Sequence, residues 1–258
     1  MRNLIVAVSI LFASTAFAAE YSDLYVIPIA GHAHGAHGTE WRSDVVLHNF
    51  QLVPITVEMA FIEGTRTSDI GSPFQLFPGE TRTITDVLGD HGRDVIGAIV
   101  IGGDKPFVVT SRTYNGNTLG QTVRPIAIAG AADAVNEVAV LAGLSRDANQ
   151  RANVGLVAIA SHVPFIAEIE LVSAEGAHLG SQLIMLEGEG FAHRQFRVTG
   201  GASAVVRVLQ GDGIIVPYAS VIDNRSGEAL FVSTEPAASA GANALLMLDS
   251  MVSRSTTE

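Results

Sequence analysis

Apolar and polar side chains alternate over short stretches along much of this chain, and Gly, Pro, Asn and Asp break the pattern at roughly 8–12-residue intervals. Ile55-Thr56-Val57-Glu58-Met59 shows the alternation clearly. In a strand it sends one set of side chains to a buried face and the other to water. The pattern predicts strands at residues 44–49, 55–61, 74–77, 81–87, 98–101, 107–113 and 121–128. A second series follows at residues 154–160, 165–172, 179–186, 191–198, 204–209, 214–223 and 229–233. Between them lie turn signals. Pro78-Gly79 is one, and Gly102-Gly103-Asp104-Lys105-Pro106 reads as a hairpin connection. Asn115-Gly116 reads as a type I′ turn, which needs positive φ at both central residues. Residues 210–213 and 223–227 read as tight turns.

The two series are related. Arg42-Ser43-Asp44-Val45-Val46-Leu47 aligns with Arg151-Ala152-Asn153-Val154-Gly155-Leu156 at an offset of about 109 residues. Val53-Pro54-Ile55 then meets Val163-Pro164-Phe165, Glu58 meets Glu168, and residues 111–116 meet 219–224. The expected fold is all-β: two tandem immunoglobulin-like antiparallel β-sandwiches. The expected division is a β-sandwich over residues 19–129, a linker at 130–136, a second β-sandwich over 137–236 and a C-terminal tail at 237–258.

Residues 1–18 have the layout of a secretory signal peptide: Arg2, an apolar run over residues 4–12, and a small-residue cleavage site at Ala16-Phe17-Ala18. The apolar run is far shorter than the roughly 20 residues that span a bilayer. The expected location is therefore the periplasm or the exterior, with no membrane insertion after cleavage. With no cysteine the chain has no disulfides, so its stability rests on its core. The formal charge is −11 at pH 7, and removal of Arg2 with the leader leaves 14 basic residues against 26 acidic ones. Such a balance repels phosphate backbones and anionic lipid, which excludes nucleic acid and membrane surfaces as partners.

Candidate chemistry is sparse. His32, His34 and His37 stand in a glycine- and alanine-rich segment, residues 31–38, and imidazole binds zinc, copper or nickel. His48 adds a fourth ligand if the segment folds back. The plainer reading is a flexible loop with exposed histidines. Trp41, the only tryptophan, either packs in the core, the favoured reading, or stacks on a sugar ring or partner. Arg42 and Asp44 share a strand face and read as an ion pair. Asp223-Asn224-Arg225-Ser226-Gly227-Glu228 offers oxygen ligands but lacks the alternating carboxylates of a calcium loop, and reads as a hairpin turn. There is no Gly-x-Ser-x-Gly elbow, His-Glu-x-x-His helix, P-loop or dinucleotide-binding turn. No catalytic, cofactor-binding or metal-ligating residue is assigned, and no cofactor is expected.

The segment Gly35-x-x-Gly38-x-x-Trp41-Arg42-Ser43-Asp44-Val45-Val46-Leu47-His48-Asn49 resembles a domain of secreted bacterial proteins of acidobacterial type. Pro78-Gly79-Glu80-Thr81, Ser111-Arg112-Thr113-Tyr114-Asn115 and, in the second unit, residues 218–224 belong to the same pattern. The resemblance implies an immunoglobulin-like sandwich and no particular chemistry. More distantly the chain is similar to the immunoglobulin-like modules of pilus chaperones, a likeness of fold alone. The expected function is a non-catalytic exported interaction module contacting a protein or cell-envelope polymer. The alternatives are a metal-dependent envelope hydrolase using His32, His34 and His37, and a structural spacer of a surface assembly.

Overall fold

The computed structural model describes residues 21–234 apart from 36–37, 93, 117, 119, 129–137, 145–148, 160 and 197–201. The segments expected as signal peptide (1–18), linker (130–136) and C-terminal tail (237–258), and His37, lie outside the described residues. Among those described, the secondary structure is β-strand throughout except for short turns such as the 3-10 turn Gly89–His91.

In the first half, one sheet has the order β4 (Arg66–Asp69), β3 (Ile55–Glu63), the first part of β7 (Val95–Asn115) and β1 (Ser22–His34). Short strands β5 (Phe74–Leu76) and β9 (Ile126–Ala127) add to β3 and β1. A second layer runs β6 (Thr81–Ile84), β2 (Glu40–His48), the last part of β7 and β8 (Gln121–Val123). In the second half, one sheet runs β13 (His178–Leu186), β12 (Phe165–Ser173), β15 (Ala202–Gln210) and β10 (Val138–Leu141). The other runs β14 (Gly190–Phe196), β11 (Gln150–Ile159), β16 (Ile214–Asp223) and β17 (Ala229–Ser233). The two strand orders correspond element by element, and every pairing is antiparallel.

Each half has its own core between its two layers. Leu47 and Ile55 are buried in the first, Leu156 and Phe165 at the corresponding places of the second. A third cluster joins the halves. Val26, Ile62 and Ala98 on the outer face of the first half meet Val157, Phe191, Val216 and Tyr218 on the outer face of the second. The two middle sheets are therefore apolar on both faces, and their strands read as unbroken apolar runs such as Gly155-Leu156-Val157-Ala158-Ile159. Burial of both faces places four sheet layers in one stack.

Several expectations are corrected. Residues 102–106 form no hairpin: β7 runs on through them and changes sheet. Gly103 lets the chain bend closely over the Phe107 ring, whose carbons would lie 2.8 Å from any Cβ there. Pro106 lacks the N–H that would continue the ladder. The tight turn read at residues 210–213 is a short link that carries the chain from β15 to β16 in the opposite sheet. Asn115-Gly116 is not a type I′ turn, since Asp86 alone among the described non-glycine residues has positive φ, and the β7–β8 connection turns instead at Gly116 and Gly120. The supposed loop carrying His32 and His34 belongs to β1, an element absent from the predicted set. Pro28 falls in the shift of pairing register between Ile27 and Ala30, and this break hides the strand in the sequence.

Candidate functional site

Beyond the third cluster the outer faces of β11, β14 and β16 turn polar, and the halves part to leave a cleft of about 390 Å3. That volume lies within the roughly 300–1,000 Å3 of small-molecule sites. Antiparallel register explains how the wall is built. Val157 stands beside Phe191 and Val216, the dry end. Two residues along, Gly155 stands beside His193 and Tyr218; two further, Asn153 stands beside Gln195 and Ser220, a polar row across three neighbouring strands. Arg151 and Ile222 follow at the open end.

Tyr218 lies over Gly155, where a Cβ would stand 2.6 Å from its hydroxyl oxygen. Its ring stacks at 6.2 Å on Phe191 and 6.3 Å on Phe231. Burial drives the phenol pKa far above its ordinary value, and its oxygen has no hydrogen-bond partner among the described residues. His193 opens to solvent through the cleft while protein surrounds much of its ring, and this loss of water pulls its pKa below the ordinary histidine value. Burial also lowers the Arg151 pKa, and Arg151 Nη1 donates to Asn224 Oδ1.

The opposite wall comes from the first half: Gly31 and Ile96 from paired strands, Gly35, Trp41, and Gln121 at the start of β8. Trp41 is half-buried and lines the cleft rather than the core. Its indole packs over Gly35, where a Cβ would come within 2.6 Å of Nε1. Beneath this wall the Gly31 N–H donates to Ser43 Oγ at 2.8 Å, and Ser43 Oγ lies 2.9 Å from Thr113 Oγ1. These bonds tie β1, β2 and β7 together under the cleft. The Gln121 amide meets Ser220 Oγ across the floor, and the β16–β17 turn at Gly227 packs against Asn115 and Thr39.

His32, His34 and His48 do not converge. His32 Nδ1 lies 2.8 Å from Asp86 Oδ1, and His34 Nδ1 lies 2.8 Å from Asp94 Oδ1. The His34 contact holds the Asp94 carboxyl below its usual range. His48 bonds Thr81 Oγ1 at 2.8 Å, eight residues along β2 from the Glu40 that pairs with His34. At about 3.3 Å per residue that is roughly 26 Å, beyond any shared metal. No group of three or more potential metal ligands occurs among the described residues.

Arg42 and Asp44 do not pair with each other. Asp44 is buried and receives Arg112 through Nε at 3.1 Å and Nη2 at 2.8 Å. Arg112 is its cross-strand neighbour on β7, whereas Arg42 sits two residues along its own strand. The Asp86 N–H and the Tyr114 hydroxyl complete the shell at Asp44 Oδ1. Arg42 Nε instead reaches Asp86 Oδ2 at 3.3 Å. The segment at 223–228 is the β16–β17 hairpin turn: the Asp223 carboxylate accepts the Arg225 and Ser226 N–H groups, which hold its pKa low.

Sequence reading missed His193, Gln195, Asn153 and Gln121. For Asn153, His193 and Gln195 the signal was a polar residue at an outward position of a strand whose other outward positions include apolar ones; Gln121 shares the buried face of β8 with Val123.

Fold and site together define an all-β protein of stacked antiparallel sheets with an amide-lined cleft between its halves. No family model matches the chain, and no curated protein matches it.

Proposed function

We propose that this chain is an exported, non-catalytic binding protein whose cleft holds a saccharide stretch of a cell-envelope polymer. One observation carries the reading: a tryptophan on one wall faces a row of uncharged hydrogen-bonding side chains on the other, and among the described residues no carboxylate lines the cleft. Indole offers an apolar plate for the C–H face of a sugar ring. Asn153, Gln195 and Gln121 each combine amide donors with a carbonyl acceptor, which suits hydroxyls that both give and accept hydrogen bonds. Glycoside hydrolysis ordinarily needs two carboxyl groups flanking the bond, and the described lining residues supply none. Export is supported by the leader-like layout of residues 1–18 and by the resemblance to secreted bacterial domains. The metal-hydrolase reading has weaker support, because His32 and His34 are each engaged by a separate carboxylate.

Trp41 is the only tryptophan, so intrinsic fluorescence reports directly on the cleft. Titration with fragments of envelope polysaccharide should shift or quench the emission saturably, with no new reducing ends formed. The Trp41→Ala variant should lose binding, measured by calorimetry, while retaining its melting temperature within a few degrees. Release of reducing ends, or binding unaffected by Trp41→Ala, would defeat the proposal.

A further inference from the structure

Resting on the reading of the cleft as a saccharide site, we infer that the saccharide carries a carboxylate and that Arg151 receives it. Arg151 sits on β11 two residues from Asn153, so its guanidinium continues the polar face that reads the sugar hydroxyls. Several other arginines among the described residues have acid partners. Arg42 reaches Asp86, Arg82 reaches Glu80 and Arg112 reaches Asp44. Arg207 reaches Glu170. Arg151 donates instead to the neutral Asn224 Oδ1, and no carboxylate among the described residues pairs with it. A cation partly stripped of water, in a cleft with no acid among its described lining residues, is suited to receive an anion.

The setting sharpens the choice. The chain as a whole is strongly acidic, so its long-range field draws in no anion. A negative ligand is retained here only by local contact. The guanidinium is planar and presents a fork of N–H donors; one goes to Asn224, and the rest match the two oxygens of a carboxylate. His193 stands on the same wall, where partial burial and then the neighbouring Arg194 lower its pKa, and its imidazole can bond a hydroxyl. The cleft thus separates the tasks: Trp41 takes the ring, the amides take hydroxyls, and Arg151 takes the charge.

The test is a saccharide array carrying uronate, muramic acid, sulfated, phosphorylated and neutral glycans, probed with the full mature chain. The strongest binder is then titrated by Trp41 fluorescence beside its carboxyl-reduced form, which keeps the ring and loses the charge. Bound members should carry a carboxylate, and carboxyl reduction should weaken binding about ten- to a hundredfold. Arg151→Gln should weaken the acid by a similar factor and leave the reduced saccharide unchanged, with Arg151→Lys in between. Melting curves confirm that each variant is folded. Preference for neutral, sulfated or phosphorylated glycans, or acid binding unchanged in Arg151→Gln, overturns the inference and leaves the saccharide cleft standing. Failure of every glycan on the array overturns both.

Discussion

Ser220 Oγ lies 3.2 Å from Gln121 Nε2 and 3.3 Å from Gln121 Oε1, and both residues are buried although 99 positions separate them. The contact bridges the halves at the floor of the cleft. Ser220→Ala strands a buried amide and should cost about 1–3 kcal/mol in urea unfolding. Adding Gln121→Leu should recover part of that loss, and a double-mutant cycle should return a coupling of roughly 0.5–3 kcal/mol. Strict additivity would show that the bond does not hold the halves together.

Tyr218 buries a hydroxyl with no protein partner among the described residues, so Tyr218→Phe should raise the urea midpoint by the equivalent of about 1 kcal/mol. A lowered midpoint would reveal a partner such as an ordered water. Gly155→Ala pushes a methyl against the same oxygen and against the Ala192 carbonyl at 2.7 Å, and should cost about 1–3 kcal/mol. Tyr218→Phe should relieve that cost only partly, since the carbonyl stays in place.

Arg112 neutralises an Asp44 that is only 5% exposed. Arg112→Met leaves that carboxylate buried without its cation. The expected loss is about 3 kcal/mol, the low end for breaking a buried pair, because the Arg112 side chain is itself half in water. Asp44→Asn should be similarly harmful. An effect below the level of ordinary surface substitutions would show that Asp44 is solvated in solution.

Burial lowers the His193 pKa below its unfolded value of about 6.5. Between those two values the unfolded chain binds the extra proton, so the stability tied to neutral His193 is present above about pH 6.5 and declines as pH falls. The urea midpoint should drop on acidification from pH 7 towards 5.5, and His193→Gln should flatten that decline. The lowered carboxyl values of Asp94 and Asp223 act in the same direction in a lower window, below the ordinary carboxylate range. An unchanged slope in His193→Gln would place the titration elsewhere.

Most strand positions in the second half were legible to within a few residues, because residues such as Ala167, Ile169 and Leu171 face the core while Glu168 and Glu170 do not. However, β10 (Val138–Leu141) was missed, and β11 begins at Gln150 rather than Val154. The hairpin turn at residues 223–228 was legible as such, but other turn signals were legible as breaks and not as geometries. Gly102-Gly103 and Gly211 mark where a strand leaves one sheet for the other, and a glycine that permits a bend looks the same in sequence as one that closes a hairpin. Trp41 was visible as a candidate, but its position was misjudged. Its neighbours Ser43 and Val45 on β2 are buried, whereas the indole packs over Gly35 and borders the cleft.

By itself the sequence determined the class of fold and the alternation that fills each core, because burial on one face of a strand imposes period two on the residues themselves. It also determined the absence of disulfide support and the acidic balance. Only the tertiary structure decided that the two halves stack outer face to outer face, so that Asn153, Gln195 and Ser220 form one row and Trp41 stands across from them. These residues lie on separate strands and come together through register and the docking of two sheets. Such contacts between distant segments leave no periodic mark on any one of them.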